Sequence, residues 1–204
     1  MTRSDGGVAG LLLAAGSGSR LGRPKALVEL GGITLAERGV SLLRGGGADP
    51  IIMVTGAADV ALPGVTAVRN PDWQTGMGSS LRAGLAALPM TSSAVVIALV
   101  DQPLIGPEAV KRLIAAFADG AELVVASYTG QRRNPVLIGR SYWPEAAAAA
   151  EADLGAREFL RRRSGWVTMV ECGDIGRADD IDTPEDLRRI AAMMAGQQSV
   201  HHRG

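Results

Sequence analysis

Unbroken apolar runs alternate along the chain with stretches of helical spacing. Residues 7–15, 51–54 and 94–100 are runs of the first kind, the last reading AVVIALV, as expected for strands covered on both faces. Residues 65–68, 123–126, 134–138 and 166–171 give further short strands. Helical spacing covers residues 35–44, which stop at Gly45, Gly46 and Gly47, and residues 79–88, with Leu81, Leu85 and Leu88 on one face. It returns over 107–118 and from 184 to about 195, each opened by a proline, and over 145–163 with a break near Gly155. This order predicts an α/β fold in three layers, a mostly parallel central sheet with helices on both faces. No internal repeat or linker divides the chain, so one domain is expected over residues 1–196, followed by a frayed tail over 197–204.

Composition narrows the function by exclusion. The 21 basic and 21 acidic residues cancel, which removes the electrostatic case for nucleic acid or an acidic membrane surface. The longest block of like charge, Arg161, Arg162 and Arg163, reads as one solvated helical turn. The run at 7–15 is too short to span a bilayer, and the protein is expected to be cytoplasmic. Its single cysteine, Cys172, reads as a small core residue and excludes an internal disulfide framework. Both histidines, His201 and His202, fall in the expected tail, which leaves no histidine for a triad or a catalytic metal.

In open α/β sheets, ligands sit where strands end and loops converge, so four loops carry the candidate chemistry. After the first strand, Gly16, Gly18 and Gly22 permit close backbone approach and leave amides to face an anion. Arg20 and Lys25 add a planar fork and a point charge suited to phosphate oxygens. The glycine spacing also fits a loose dinucleotide fingerprint, but cations crowd the loop and no acidic residue closes a second strand about twenty positions on. Asp101 follows AVVIALV directly, as a turn former or as an oxygen ligand for magnesium bridging phosphates. In DIDTPEDL, Thr183, Pro184 and Asp186 account for a helix start, which leaves Asp180 or Asp182 as a second carboxylate at the metal. Ser79 and Ser80 open a helix after a glycine-rich approach, as ligand contacts or as caps.

Together these segments resemble the MobA/MocA-like nucleotidyltransferases, within the wider glycosyltransferase-A-like group. The resemblance rests on LAAGSGSRLGRPK at 13–25, NPDWQTGMGSSL at 70–81, DQP at 101–103, DLGAR at 153–157 and DIDTPEDL at 180–187, and it covers nearly the whole chain. It implies that main-chain amides of Gly16, Ser17 and Gly18 cradle a triphosphate that Arg20 and Lys25 neutralise. Ala14 and Ala15 would lie beside the nucleobase, and Gly78, Ser79 and Ser80 would read its edge. Asp101 would hold Mg²⁺, with Asp182 matching the second metal-side ligand, and Arg157 would contact the acceptor.

The activity implied is Mg²⁺-dependent transfer of a nucleoside monophosphate to a phosphorylated small-molecule acceptor such as molybdopterin. CTP is favoured over GTP as the donor, pyrophosphate is released, and a molybdoenzyme is the implied protein partner. Two departures stand out. Asn134 occupies the acceptor-side position where cytidylyltransferases of the group carry a histidine, and Ala152 replaces a glycine. Related sequences include NADPH-dependent reductases of the quinonoid pigment nicotine blue, which gives a second expectation. A third is a non-catalytic protein that binds nucleotide or cofactor and presents it to a molybdoenzyme.

Overall fold

Val8–Leu13 form β1, and every residue of the strand after Val8 is buried. A strand so placed must have neighbours on both edges and cover on both faces, and the rest of the chain supplies them. The computed structural model describes residues 6–151 and 155–201. After β1 come a small hairpin, β2 (Glu29–Leu30) and β3 (Ile33–Thr34), then α1 (Leu35–Gly45), β4 (Ile51–Thr55) and β5 (Thr66–Arg69). Next are α2 (Met77–Ala86), β6 (Ala94–Leu99), α3 (Pro107–Ala118), β7 (Leu123–Tyr128) and β8 (Gln131–Gly139). The chain continues through α4 (Trp143–Ala148), α5 (Arg157–Arg162), β9 (Val167–Glu171) and α6 (Pro184–His201).

The large sheet has the order β5-β4-β1-β6-β8-β7-β9, parallel except for β8, which is antiparallel to both β6 and β7. One face packs Leu12, Met53 and Val96 under α1 and α3, and the other packs Leu11, Val54 and Ile97 under α2, α4 and α5. The three-layer, mostly parallel architecture is therefore the one expected. Helices approach β1 closely because they present glycines to it: a Cβ on Gly39 would lie 2.6 Å from Leu12 Cδ1, and one on Gly84 2.5 Å from Leu11 Cδ1.

Several boundaries differ from the sequence reading. α2 begins at Met77 rather than Ser79, behind Gly76 at φ 109°, ahead of the leucines that carry the apolar spacing. β8 begins at Gln131, three polar residues before Asn134, because backbone pairing with β7 across a Thr129-Gly130 turn needs no apolar side chain. The helical stretch over 145–163, expected to break near Gly155, is two helices, the first ending at Ala148 and the second starting at Arg157. Residues 152–154, with Ala152 and the Asp153 start of the DLGAR motif, lie outside the described residues. α6 runs on to His201 where a tail was expected; a lone glycine, Gly196, weakens a helix by about 1 kcal/mol without stopping it. His202 lies outside the described residues. Among the described residues no helix is long and apolar enough to cross a membrane.

The turn between β7 and β8 is fastened to β9 by one carboxylate. Glu171 accepts from Ser127 Oγ at 2.8 Å and from the amides of Thr129, Gly130 and Gly173 at 2.9, 3.1 and 3.0 Å. The Ser127 hydroxyl, then the backbone amides, hold this carboxyl below the usual glutamate range. A depressed carboxyl contributes its stability above the unfolded value and loses it as pH falls through the folded one. Glu171→Gln is therefore expected to lower the urea midpoint at pH 7, with the gap to wild type narrowing below about pH 4. Urea unfolding of both proteins at pH 7 and pH 3 measures that difference.

Candidate active site

The site is assembled where β1, β6 and the approach to α6 end on the same side of the sheet. Beyond β1 the backbone stays anchored, with Ala14 N bonded to Val54 O at 2.9 Å and Ala57 N to Ala15 O at 3.1 Å. The glycine loop then folds back, so that Lys25 N donates to Gly16 O at 3.2 Å. Gly18 has φ 58°, and a Cβ there would lie 2.2 Å from Arg23 O, so the turn tolerates no larger residue. Among the described residues the amides of Ser17 and Gly18 donate to no carbonyl.

The loop delivers Lys25 to two carboxylates. Its Nζ lies 2.6 Å from Asp101 Oδ2 and 2.6 Å from Asp182 Oδ1, while Arg20 Nη2 lies 3.4 Å from Asp182 Oδ2. The aspartates meet because Ile181 N bonds to Asp101 O at 2.9 Å and the Ile181 side chain is fully buried. Burial disfavours the ammonium, but Asp101 and then Asp182 outweigh it and raise Lys25 above the ordinary lysine range. Downstream, Thr183 and Asp186 cap α6 reciprocally, Thr183 N to Asp186 Oδ2 at 3.0 Å and Asp186 N to Thr183 Oγ1 at 3.2 Å.

A second polar pair lies beside the first. Gln102 Nε2 donates to Asp180 Oδ1 at 2.7 Å. Burial, and then the charges of Asp101 and Asp182, raise the Asp180 pKa against that hydrogen bond. Asp101 Oδ1 and Gln102 Oε1 are buried without a hydrogen-bond partner. No group of three or more His, Cys, Asp or Glu among the described residues is disposed to hold a metal ion. Two carboxylates around a cation, one with a spare buried oxygen, nevertheless suit a hard divalent ion that takes its remaining ligands from phosphate and water.

Beside the two aspartates a cavity of about 420 Å³ opens. Asp101, Asp182, Asn134 and Arg157 all line it, so four of the residues singled out in the sequence share one space. Asp180 lines it too, which puts both carboxylate candidates of DIDTPEDL at the site, although only Asp182 touches Lys25. Ala14, Ala15, the glycine loop and Gly78, Ser79 and Ser80 are not among its walls. The two serines are buried, and Asn70 Nδ2 donates to Ser79 Oγ at 2.8 Å and Ser80 Oγ at 3.0 Å. Gly78 allows α2 to touch the end of α4, since a Cβ there would lie 2.7 Å from Ala150 O. Sequence reasoning missed Gln102, although it adjoins Asp101, and missed Arg132 and Arg133, whose only signal was their place beside Asn134.

A parallel sheet with a glycine loop at one strand end and a carboxylate at the next defines a nucleotide-handling α/β protein. The comparisons make this specific: residues 10–166 match the model of the MobA-like NTP transferase domain, and the chain belongs to that nucleotidyltransferase family. It is 37% identical over 197 residues to a nicotine blue oxidoreductase of Paenarthrobacter nicotinovorans, covering 90% of this chain and 96% of that one. It is 31% identical over 203 residues to a molybdenum cofactor guanylyltransferase of Rhizobium meliloti, covering 90% of each. Among solved structures it resembles Rv0371c of Mycobacterium tuberculosis H37Rv in complex with manganese. The TM-score is 0.71 at 27% identity, over 91% of this chain and 98% of that one.

The ion cluster predicts a contrast between its two cations. The Lys25 side chain is 16% exposed and stands between two carboxylates, whereas that of Arg20 is 68% exposed. Lys25→Met is expected to lower stability by about 1–3 kcal/mol at pH 7, because it leaves two carboxylates facing one another. Arg20→Ala is expected to change it little. Urea unfolding of the two variants beside wild type checks the ranking.

Proposed function

We propose that the protein is a divalent-metal-dependent nucleotidyltransferase. It transfers a nucleoside monophosphate from CTP, in preference to GTP, to a phosphorylated acceptor of the molybdopterin type. One observation carries this reading: a lysine from the glycine loop is held between carboxylates from two other segments, with Asp101 Oδ1 buried and unpartnered. Hydride transfer from a nicotinamide cofactor has no use for acidic groups beside its phosphates. Nucleotidyl transfer does, because Asp101 and Asp182 would hold Mg²⁺, which when bound neutralises charge on the phosphates.

The remaining work falls to the chain's own groups. Amides of Gly16, Ser17 and Gly18, with Arg20 and Lys25, hold the triphosphate. Ala14 and Ala15 line the base side, with Gly78, Ser79 and Ser80 at its edge. A phosphate oxygen of the acceptor, aligned near Asn134 and Arg157, attacks the α-phosphorus in line. The new P–O bond forms as the bond to pyrophosphate breaks, a reaction that asks for alignment and charge neutralisation rather than covalent help. Supply of the product to a molybdoenzyme in the cytoplasm completes the reading.

Thermal unfolding with CTP, GTP, ATP, UTP and NADPH, each with and without Mg²⁺, tests it. CTP with Mg²⁺ is expected to give the largest stabilisation, lost in Asp101→Ala and weakened in Lys25→Ala. Asp101→Ala is expected to lower pyrophosphate release about 100-fold or more. The 37% identical oxidoreductase favours a second reading, in which NADPH stabilises the protein without metal. That result would replace the transferase, and nucleotide stabilisation with no pyrophosphate release from any acceptor would leave a binding protein.

The same cluster predicts how the metal binds. Lys25 already supplies a cation between Asp101 and Asp182, so metal alone is expected to bind the wild type weakly. Lys25→Ala should bind Mn²⁺ about tenfold more tightly in the absence of nucleotide, as read by electron paramagnetic resonance of free Mn²⁺.

A further inference from the structure

The cavity beside Asp101 carries more positive charge than one phosphate needs. Arg132, Arg133, Arg157 and Arg161 all line it, along with Asp101, Asp180 and Asp182. No arginine of this group is ion-paired to those aspartates, although all of them line one cavity. Arg161 is committed, with two 2.8 Å bonds to Glu158, and Arg133 reaches only the Gln131 amide oxygen at 3.3 Å. The side chains of Arg132 and Arg157 have no hydrogen-bond or ion-pair partner among the described residues.

An irregularity in the sheet brings the β8 residues here. Consecutive strand residues ordinarily point to opposite faces. Between β7 and β8, Val125 pairs with Val136 but Ala126 pairs with Arg133, leaving Asn134 and Pro135 as extra residues in β8. Around this bulge Arg132, Arg133 and Asn134 all reach the same cavity. Beneath them the floor is apolar, made by Leu99, Val136 and Val125 from the adjacent strands β6, β8 and β7. Met77, from the start of α2, and Ala156 and Leu160, beside and within α5, face it from the helical layer.

We infer that the arginine part of the cavity is an anion subsite. The acceptor carries, beside a part that packs on the apolar residues, an oxyanion distinct from the phosphate being nucleotidylated, and Arg132 and Arg157 bind that second anion. Arg132, with Arg133 beside it, is the specificity-determining element. Guanidinium groups bind oxyanions through paired N–H donors, and the aspartates turn the same anion away from their own part of the cavity. The inference rests on the transferase reading for the word acceptor, but the subsite itself does not require catalysis.

Naphthalene-1-sulfonate and its neutral isostere naphthalene-1-sulfonamide serve as probes, titrated by calorimetry into the wild-type protein. The sulfonate is expected to bind about tenfold or more tightly than the sulfonamide. Arg132→Ala combined with Arg157→Ala should bring the two probes to the same affinity, and Arg132→Gln alone should narrow the gap. Unchanged unfolding temperatures exclude a folding defect, and Arg188→Ala, on the exposed side of α6, should retain the preference. Equal binding of the two probes by wild type overturns the inference, as does a preference that survives in the double variant. Scoring the same preparations for stabilisation by CTP with Mg²⁺ separates the two readings. A sulfonate preference without a nucleotide response upholds the subsite and overturns the transferase; the converse overturns the subsite alone.

Discussion

The transferase reading of this site depends on one ammonium group shared by two carboxylates. Lys25 reaches Asp101, 76 residues away in sequence, and Asp182, 157 residues away. For that to happen the loop after β1 must fold back on Gly16, β6 must end in register with β1, and the approach to α6 must cross the sheet. Each condition is met by backbone bonds, with Lys25 N to Gly16 O, Val100 N to Leu13 O and Ile181 N to Asp101 O. The charged cluster is thus the consequence of main-chain geometry, and its partial burial makes a lone carboxylate there costly.

How much of this was legible in the sequence follows from what each signal measures. α3 was read to its ends because Pro107 fixes its start and the apolar spacing runs to Ala118. The buried strands β1 and β6 were legible as apolar runs for the same reason. The direction of β8 was not, since an apolar run carries no sign of whether its neighbour is parallel. Nor was the hairpin of β2 and β3, whose two-residue strands are too short for any period to show. Lys25 and Arg20 stood out as charge in a glycine loop, Asp101 as a carboxylate at the end of an apolar run, and Asp182 as a carboxylate the helix start leaves over, and the fold brings these four together. Gln102, Arg132 and Arg133 escaped because their role depends on a neighbour or a bulge that one-dimensional spacing does not contain.

The two sides of the site are built from different kinds of constraint. The loop beside β1 is backbone-determined, and Gly18 could be nothing larger without striking Arg23 O. The cavity side is made by exposed side chains on a strand bulge and a short helix, Arg132, Arg133 and Arg157, whose replacement disturbs no core. A family that keeps the first and varies the second can exchange acceptors while retaining the donor.

The Ile181–Asp101 bond also has a meaning for synthesis on the ribosome. A nascent chain stopped before residue 180 already contains the glycine loop, β6 and Asp101, and it spans the whole segment that matches the family model, residues 10–166. It has no Asp182 and no Ile181 to fill the core beneath it. The ion cluster therefore closes only after the chain through Asp182 is free of the exit tunnel. A chain stopped before residue 180 has only one of the two carboxylates that hold the Lys25 ammonium.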